Sequence, residues 1–370
     1  MPADLILSGT ILYGDDFEIK EGYVAVRDGK IREVGFDRVV SDISGLICPA
    51  FVNAHTHVGD SIAKDLPYMP LDDLVKPPDG LKHRIIRAAS PEEITEGIRS
   101  TLADMAATGT GHCADFRENG VQGARLLREL AGDRATILGR VTGDDTVIDR
   151  EVDDVLRYAD GLGFSGANDI PRDTLFSMAK KAKDRGKIVG IHAGELNRSD
   201  VDTALELLEL RPGFLVHMTH ASDSDLRKAA DLGIPVAVCP RSNMATGVGI
   251  PPLKKMTEAG LLIGLGTDNV MINAPDMLAE MEWASKAFLH DDVRTLRMAT
   301  LDGAGLMGKG DRKGSVMAGK DADLIVLDKS SNNLRCSKNL LSSLVRRARP
   351  DDISHFISGG RIWQNSSRKS

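Results

Sequence analysis

The sequence predicts an α/β fold, a (β/α)8 TIM barrel carrying a small composite β-sandwich domain formed by both chain termini. Three observations predict it. Between about residues 47 and 290 the chain alternates apolar strand-like runs with helical segments about eight times. The helix-to-strand join repeats as DRGKIVGI, DLGIPVAV and EAGLLIGL, each ending a helix at Gly before an apolar strand. Both ends of the chain read differently, as strands punctuated by Gly and Asp turns.

Taken in order, residues 1–47 supply the first part of the β domain, with DLILSGTILYG, GYVAVRDG and KIREVGF as strands. Residues 48–312 form the barrel. GTGHCADF is strand-like and VQGARLLRELAG helical, followed by strand-like ATILGRV, helical DTLFSMAKKAKDRG and strand-like KIVGIHAG. DVDTALELLEL, DSDLRKAADLG, LKKMTEAG and PDMLAEMEWASKAF are further helices. They alternate with the strand-like GFLVHMTH, IPVAVCP and LLIGLGTD. Residues 313–370 complete the β domain with ADLIVLD and HFISGGRIWQN, ahead of a polar NSSRKS end. A doubly wound sheet is the alternative, but no glycine-rich dinucleotide fingerprint follows an early strand.

Bulk composition narrows the function. The 370 residues are 42% apolar and 27% charged, with a net charge of −7 and a pI near 5.8. That balance argues against a nucleic-acid partner, which calls for a basic stripe. It favours neither a membrane surface nor a polyanion. Cys48, Cys113, Cys239 and Cys336 are scattered, with no CxxC pair, as reduced cytoplasmic thiols are. The N-terminus carries no basic n-region or long apolar h-region, so no signal peptide is expected.

The stretch PAFVNAHTHVGDS raises the chemistry. Alternation along a strand points His55 and His57 the same way. In a barrel, reactive side chains gather at the C-terminal ends of strands. His55 and His57 end the first strand, His192 the fifth, His217 the sixth and Asp268 the eighth. Each alone also suits a hydrogen-bonded core histidine or a turn aspartate. Together they form a nitrogen and oxygen donor set suited to zinc or iron.

PAFVNAHTH, HAGE, VCPRSN and GLGTDN resemble the signature segments of the amidohydrolase superfamily, in its cytosine-deaminase and chlorohydrolase-like branch. The tail MATLDGAGLMGKGDRKGSVMAGKDADLIVLD resembles that family's return from barrel to β domain, so the resemblance covers nearly the whole chain. It implies one divalent metal ion per chain, zinc first and iron second, held by His55, His57, His192 and Asp268. His217 would stand beside the attacking water, with His220 a rival for that role. No lysine lies in ATILGRV or DGLGFSGAN to bridge two metals. Glu195 of HAGE, three residues past His192, would carry a proton to a substrate nitrogen while Asp268 takes one from water.

The resemblance thus implies a hydrolase acting on carbon–nitrogen bonds. The favoured reaction is deamination of an amino-substituted nitrogen heterocycle, a base, nucleoside or related small molecule. Ring opening of a cyclic amide or amidine, as in imidazolonepropionase-like members, and dehalogenation are rival reactions. A non-catalytic metal-binding scaffold is the rival outside enzymes. The small deaminase fold that edits nucleic acids is excluded, because its H-x-E and P-C-x-x-C signature is absent. Arg117 and Arg140, ending strands two and three, are candidates to clamp a carboxylate or phosphate on the substrate, alongside Glu195. The Pro- and Asp-rich segment 60–83 reads as a lid or binding loop, with Asp60, Lys64, Tyr68 and His83 available to it. Barrels of this kind often pair, but no segment fixes an interface.

Overall fold

The structure is a computed structural model and describes residues 5–142, 148–209 and 213–363; the NSSRKS end lies outside them. Packing divides the chain into two compact units. The first comprises residues 1–53, 103–111 and 276–370, and the second residues 54–102 and 112–275.

The terminal segments form one mixed seven-stranded sheet. Its order is Arg361–Trp363, Ile353–Ser358, Leu324–Leu327, Ile43–Pro49, Leu5–Tyr13, Glu18–Arg27, Lys30–Gly35. Leu5–Tyr13 and Ile43–Pro49 run parallel, and the other neighbours run antiparallel. Strand alternation brings Leu7, Val24, Val26, Ile47, Leu324 and Val326 into one buried apolar cluster. Both ends of the chain are therefore needed to complete this core.

The second sheet is the barrel. Its strands are β1 (Phe51–His57), β2 (Thr110–Arg117), β3 (Ala135–Gly139), β4 (Gly161–Phe164), β5 (Ile188–Ala193), β6 (Gly213–His217) and β7 (Val236–Val238). The eighth, β8, is interrupted and runs as Ile263–Leu265 and Asp268–Asn269. Ile263–Leu265 pairs with β7, and Asp268–Asn269 pairs with β1, both in parallel. The break itself closes the barrel. Gly266 N–H donates to the Val238 carbonyl at 2.9 Å, and Thr267 N–H donates to the His55 carbonyl at 3.1 Å. Every residue of β1 and β2 is buried, as strands covered on both faces require.

Gly266 shows how tightly this closure bears on the site. A β-carbon there would lie 2.7 Å from the His55 amide nitrogen and 2.8 Å from its Cβ. Gly266→Ala should therefore displace β1 under His55 and destabilise the protein by about 1–3 kcal/mol, as overpacking does. Thermal melting checks this, and a wild-type melting temperature would show that the closure has slack.

Among the described residues, no helix is long and apolar enough to cross a membrane.

Candidate active site

The alternation of β1 sends His55 and His57 to the same face, where β5, β6 and β8 deliver His192, His217 and Asp268. All five are buried. One ligand atom from each of His55, His57 and Asp268 lies within 4.8 Å of the others. The same holds for His55, His192 and His217, and for Glu195, His217 and Asp268. Donors about 2.1 Å from one ion stand about 3.4 Å apart, so side-chain donors this close can converge on a single ion.

Hydrogen bonds orient the imidazoles. His57 Nδ1 meets the Phe116 carbonyl at 3.2 Å and Glu118 Oε1 at 3.1 Å. His192 Nδ1 meets the Phe164 carbonyl at 2.8 Å, and His217 Nδ1 meets Asn243 Oδ1 at 3.0 Å. Carbonyl and carboxylate oxygens only accept, so each Nδ1 carries the proton and each Nε2 keeps its lone pair. Phe116 packs edge-on against His55 and His192, with ring centroids 4.6 and 4.8 Å away. This arrangement of neutral imidazoles, each fixed through its second nitrogen, suits a divalent metal.

The electrostatics agree. Burial pushes His55, His192 and His217 below the usual imidazole range. Burial and the Lys82 charge bring His57 down to about 4. Neutral imidazole is the metal-binding form. Burial alone would raise Asp268, but the hydrogen bond from His55, with the imidazoles around it, outweighs burial and holds the carboxylate well below its usual range. Asp268 Oδ1 lies 3.2 Å from His55 Nε2, and Oδ2 accepts from Ser242 Oγ at 2.6 Å. Glu195 behaves oppositely. Burial, with the neighbouring Asp268 charge, pushes it well above the carboxylate range. Its Oε1 stands 3.5 Å from His217 Nε2.

His217 (φ 74°) and Asp268 (φ 61°) both adopt left-handed backbone at strand ends. Such conformations cost about 1–3 kcal/mol each and cluster where a side chain must be aimed.

These side chains face a cavity of about 270 Å³, near the lower end of the ~300–1,000 Å³ typical of small-molecule sites. His57, His192, Glu195, His217 and Asp268 line it. Arg140 lines it too, together with Lys76 and Asp169. From segment 60–83, His83 reaches the cavity, whereas Tyr68 is 93% exposed. His220 is exposed and bonds the Val248 carbonyl, so His217 is the sixth-strand histidine at the cluster.

Arg117, read from the sequence as a substrate clamp, does not line the cavity. Its side chain is fully buried against Gly59, where a β-carbon would fall 1.8 Å from its Nη1. Alternation along β2 turns Phe116 inward and Arg117 outward. Glu118, next in that alternation, lines the cavity instead. The sequence reading also passed over Lys82, which lies in helix Leu81–Ala88 and is only 3% exposed. Period-two reasoning on β2 could have found Glu118, but a lysine in a short helix offers no such signal.

Donor-bearing strand ends around one mouth of a closed barrel make a scaffold suited to holding a metal ion. Residues 46–363 match the Amidohydrolase family, and the chain belongs to that family. Among its relatives is an uncharacterized protein of Methanocaldococcus jannaschii, 37% identical over 377 residues, covering 95% of this chain and 97% of the relative. Another is the 5-methylthioadenosine/S-adenosylhomocysteine deaminase of Pyrococcus abyssi, 29% identical, covering 97% of this chain and 93% of that one. The crystal structure of a Xanthomonas campestris adenosine deaminase with bound zinc matches with a TM-score of 0.83 at 22% identity. That match covers 98% of this chain and 93% of the other, and it establishes the shared fold.

Proposed function

We propose that the protein hydrolytically deaminates an amino-substituted nitrogen heterocycle, most closely a nucleoside-like compound. One divalent ion, zinc by preference with iron as the alternative, would be held by His55, His57, His192 and Asp268. The observation that carries the reading is the pair of carboxyl groups beside His217. Glu195, His217 and Asp268 bring one ligand atom each to within 4.8 Å of the others, with Asp268 shifted towards its ionised form and Glu195 towards its protonated form. Two acids in one cavity with opposite proton states are the equipment for moving a proton in each direction. The family membership and the deaminase name of the Pyrococcus abyssi relative support the same reaction.

When bound, the ion would polarise a water molecule and lower its pKa towards about 7. Asp268 would accept a proton from the attacking water, and His217 Nε2 would accept a hydrogen bond from its other hydrogen. Glu195 gives its proton to the ring nitrogen next to the attacked carbon, which makes that carbon more electrophilic. As the carbonyl forms, Asp268 passes its proton to the departing amino group and Glu195 regains one from the new hydroxyl. Ammonia leaves and both acids return to their starting states. Arg140, reaching the cavity from the end of β3, would hold a carboxylate or phosphate on the substrate. A cytoplasmic setting fits the cysteines, none of which forms a disulfide among the described residues.

The test is a product assay on metal-analysed protein with amino-purines, amino-pyrimidines, their nucleosides and halogenated analogues. Ammonia release with a carbonyl product is expected. Ring opening without ammonia, or halide release alone, would refute deamination.

A further inference from the structure

Lys82 is buried beside the histidine cluster. An ammonium taken out of water costs several kcal/mol and needs a partner that repays it. That partner is Glu118. Lys82 Nζ lies 2.7 Å from Glu118 Oε1 and 3.8 Å from Asp60 Oδ2. The same Glu118 oxygen accepts from His57 Nδ1 at 3.1 Å. Arg117 Nη1 stands 3.9 Å from the other Glu118 oxygen. One carboxylate is thus held between two cations and bonded to one imidazole.

His57 is held differently from His192. The Nδ1 of His192 has the Phe164 carbonyl at 2.8 Å. The Phe116 carbonyl is a longer 3.2 Å from His57 Nδ1. Glu118 Oε1, at 3.1 Å, thus shares the His57 Nδ1 with that carbonyl, on a ring whose Nε2 faces Asp268 Oδ1 at 3.6 Å.

We propose that Lys82 is a positioning residue, fixing Glu118 and through it the His57 ring, so that His57 Nε2 is presented to the divalent ion. The inference rests on the metal reading above. Lys82 also lines the cavity, so direct substrate binding by its ammonium is the competing role.

Zinc affinity, measured by chelator competition, separates these roles without reference to turnover. The proteins are wild type, Lys82→Met, Glu118→Gln and the double variant, each stripped of metal and titrated. Lys82→Met and Glu118→Gln should each weaken zinc binding by about tenfold or more, as loss of a ligand's supporting partner does. The double variant should be no weaker than the worse single variant, because both act through one path. Should Lys82→Met fail to fold, Lys82→Gln carries the same test and the same expected loss. Zinc affinity within twofold of wild type, or losses that multiply in the double variant, would overturn the inference. So would a rise in KM with zinc affinity intact. A wild type that binds no zinc would overturn the metal reading itself and this inference with it.

Discussion

Glu195→Gln should keep its metal and its fold yet lose kcat by about 10²–10⁴-fold, the usual contribution of a positioned acid–base group. The size follows from the environment of Glu195. Burial and the Asp268 charge already favour its neutral form, so a neutral amide of the same shape disturbs little. What the amide cannot do is give a proton to the substrate and take it back. Metal content and melting temperature should stay at wild-type values and KM should move little, so the loss falls on the chemical step. A variant with a near-normal rate would remove Glu195 from the mechanism.

Asp268→Ala should lose metal and activity together. Asp268 is the carboxylate shared by two of the close donor groups, and it anchors Ser242 Oγ at 2.6 Å. On the proposed assignment, removing it takes one ligand from the ion and the proton acceptor from the reaction. Asp268→Asn controls for shape, since Asn also tolerates the left-handed backbone found there. It should lose metal as well, because the charge is gone. His55→Ala should behave alike, since His55 is fully buried at the base of the cluster. Metal analysis and melting with and without added zinc check all three. Wild type should be stabilised by the ion through mass action and the variants should not. Full metal content in Asp268→Ala or His55→Ala would refute the ligand assignment.

The convergence of these side chains was more legible in the sequence than what surrounds them. The two-residue spacing of His55 and His57 required only that the segment be a strand. His192, His217 and Asp268 each closed an apolar run, and the barrel rule then put those ends at one mouth. The fourth strand, Gly161–Phe164, was harder to see: GLGF is four residues long, two of them Gly, with no β-branched residue. The eighth strand read as continuous, whereas its break at Gly266 and Thr267 is what closes the barrel. Arg117 drew attention as a charged residue at a strand end, but alternation turns it away from the cavity and turns Glu118 in. Lys82 was invisible for a physical reason. Its burial depends on Glu118 and Asp60, which lie far from it in sequence and meet it only once the barrel has formed.

Ammonia release by this chain should depend on a divalent ion. The most direct measurement follows ammonia from one preparation, with its best amino-heterocycle, before chelation, after chelation and after zinc is restored. Ammonia release should disappear on metal removal and return with about one ion per chain. Ammonia release that continues at an undiminished rate in metal-free protein would contradict that dependence.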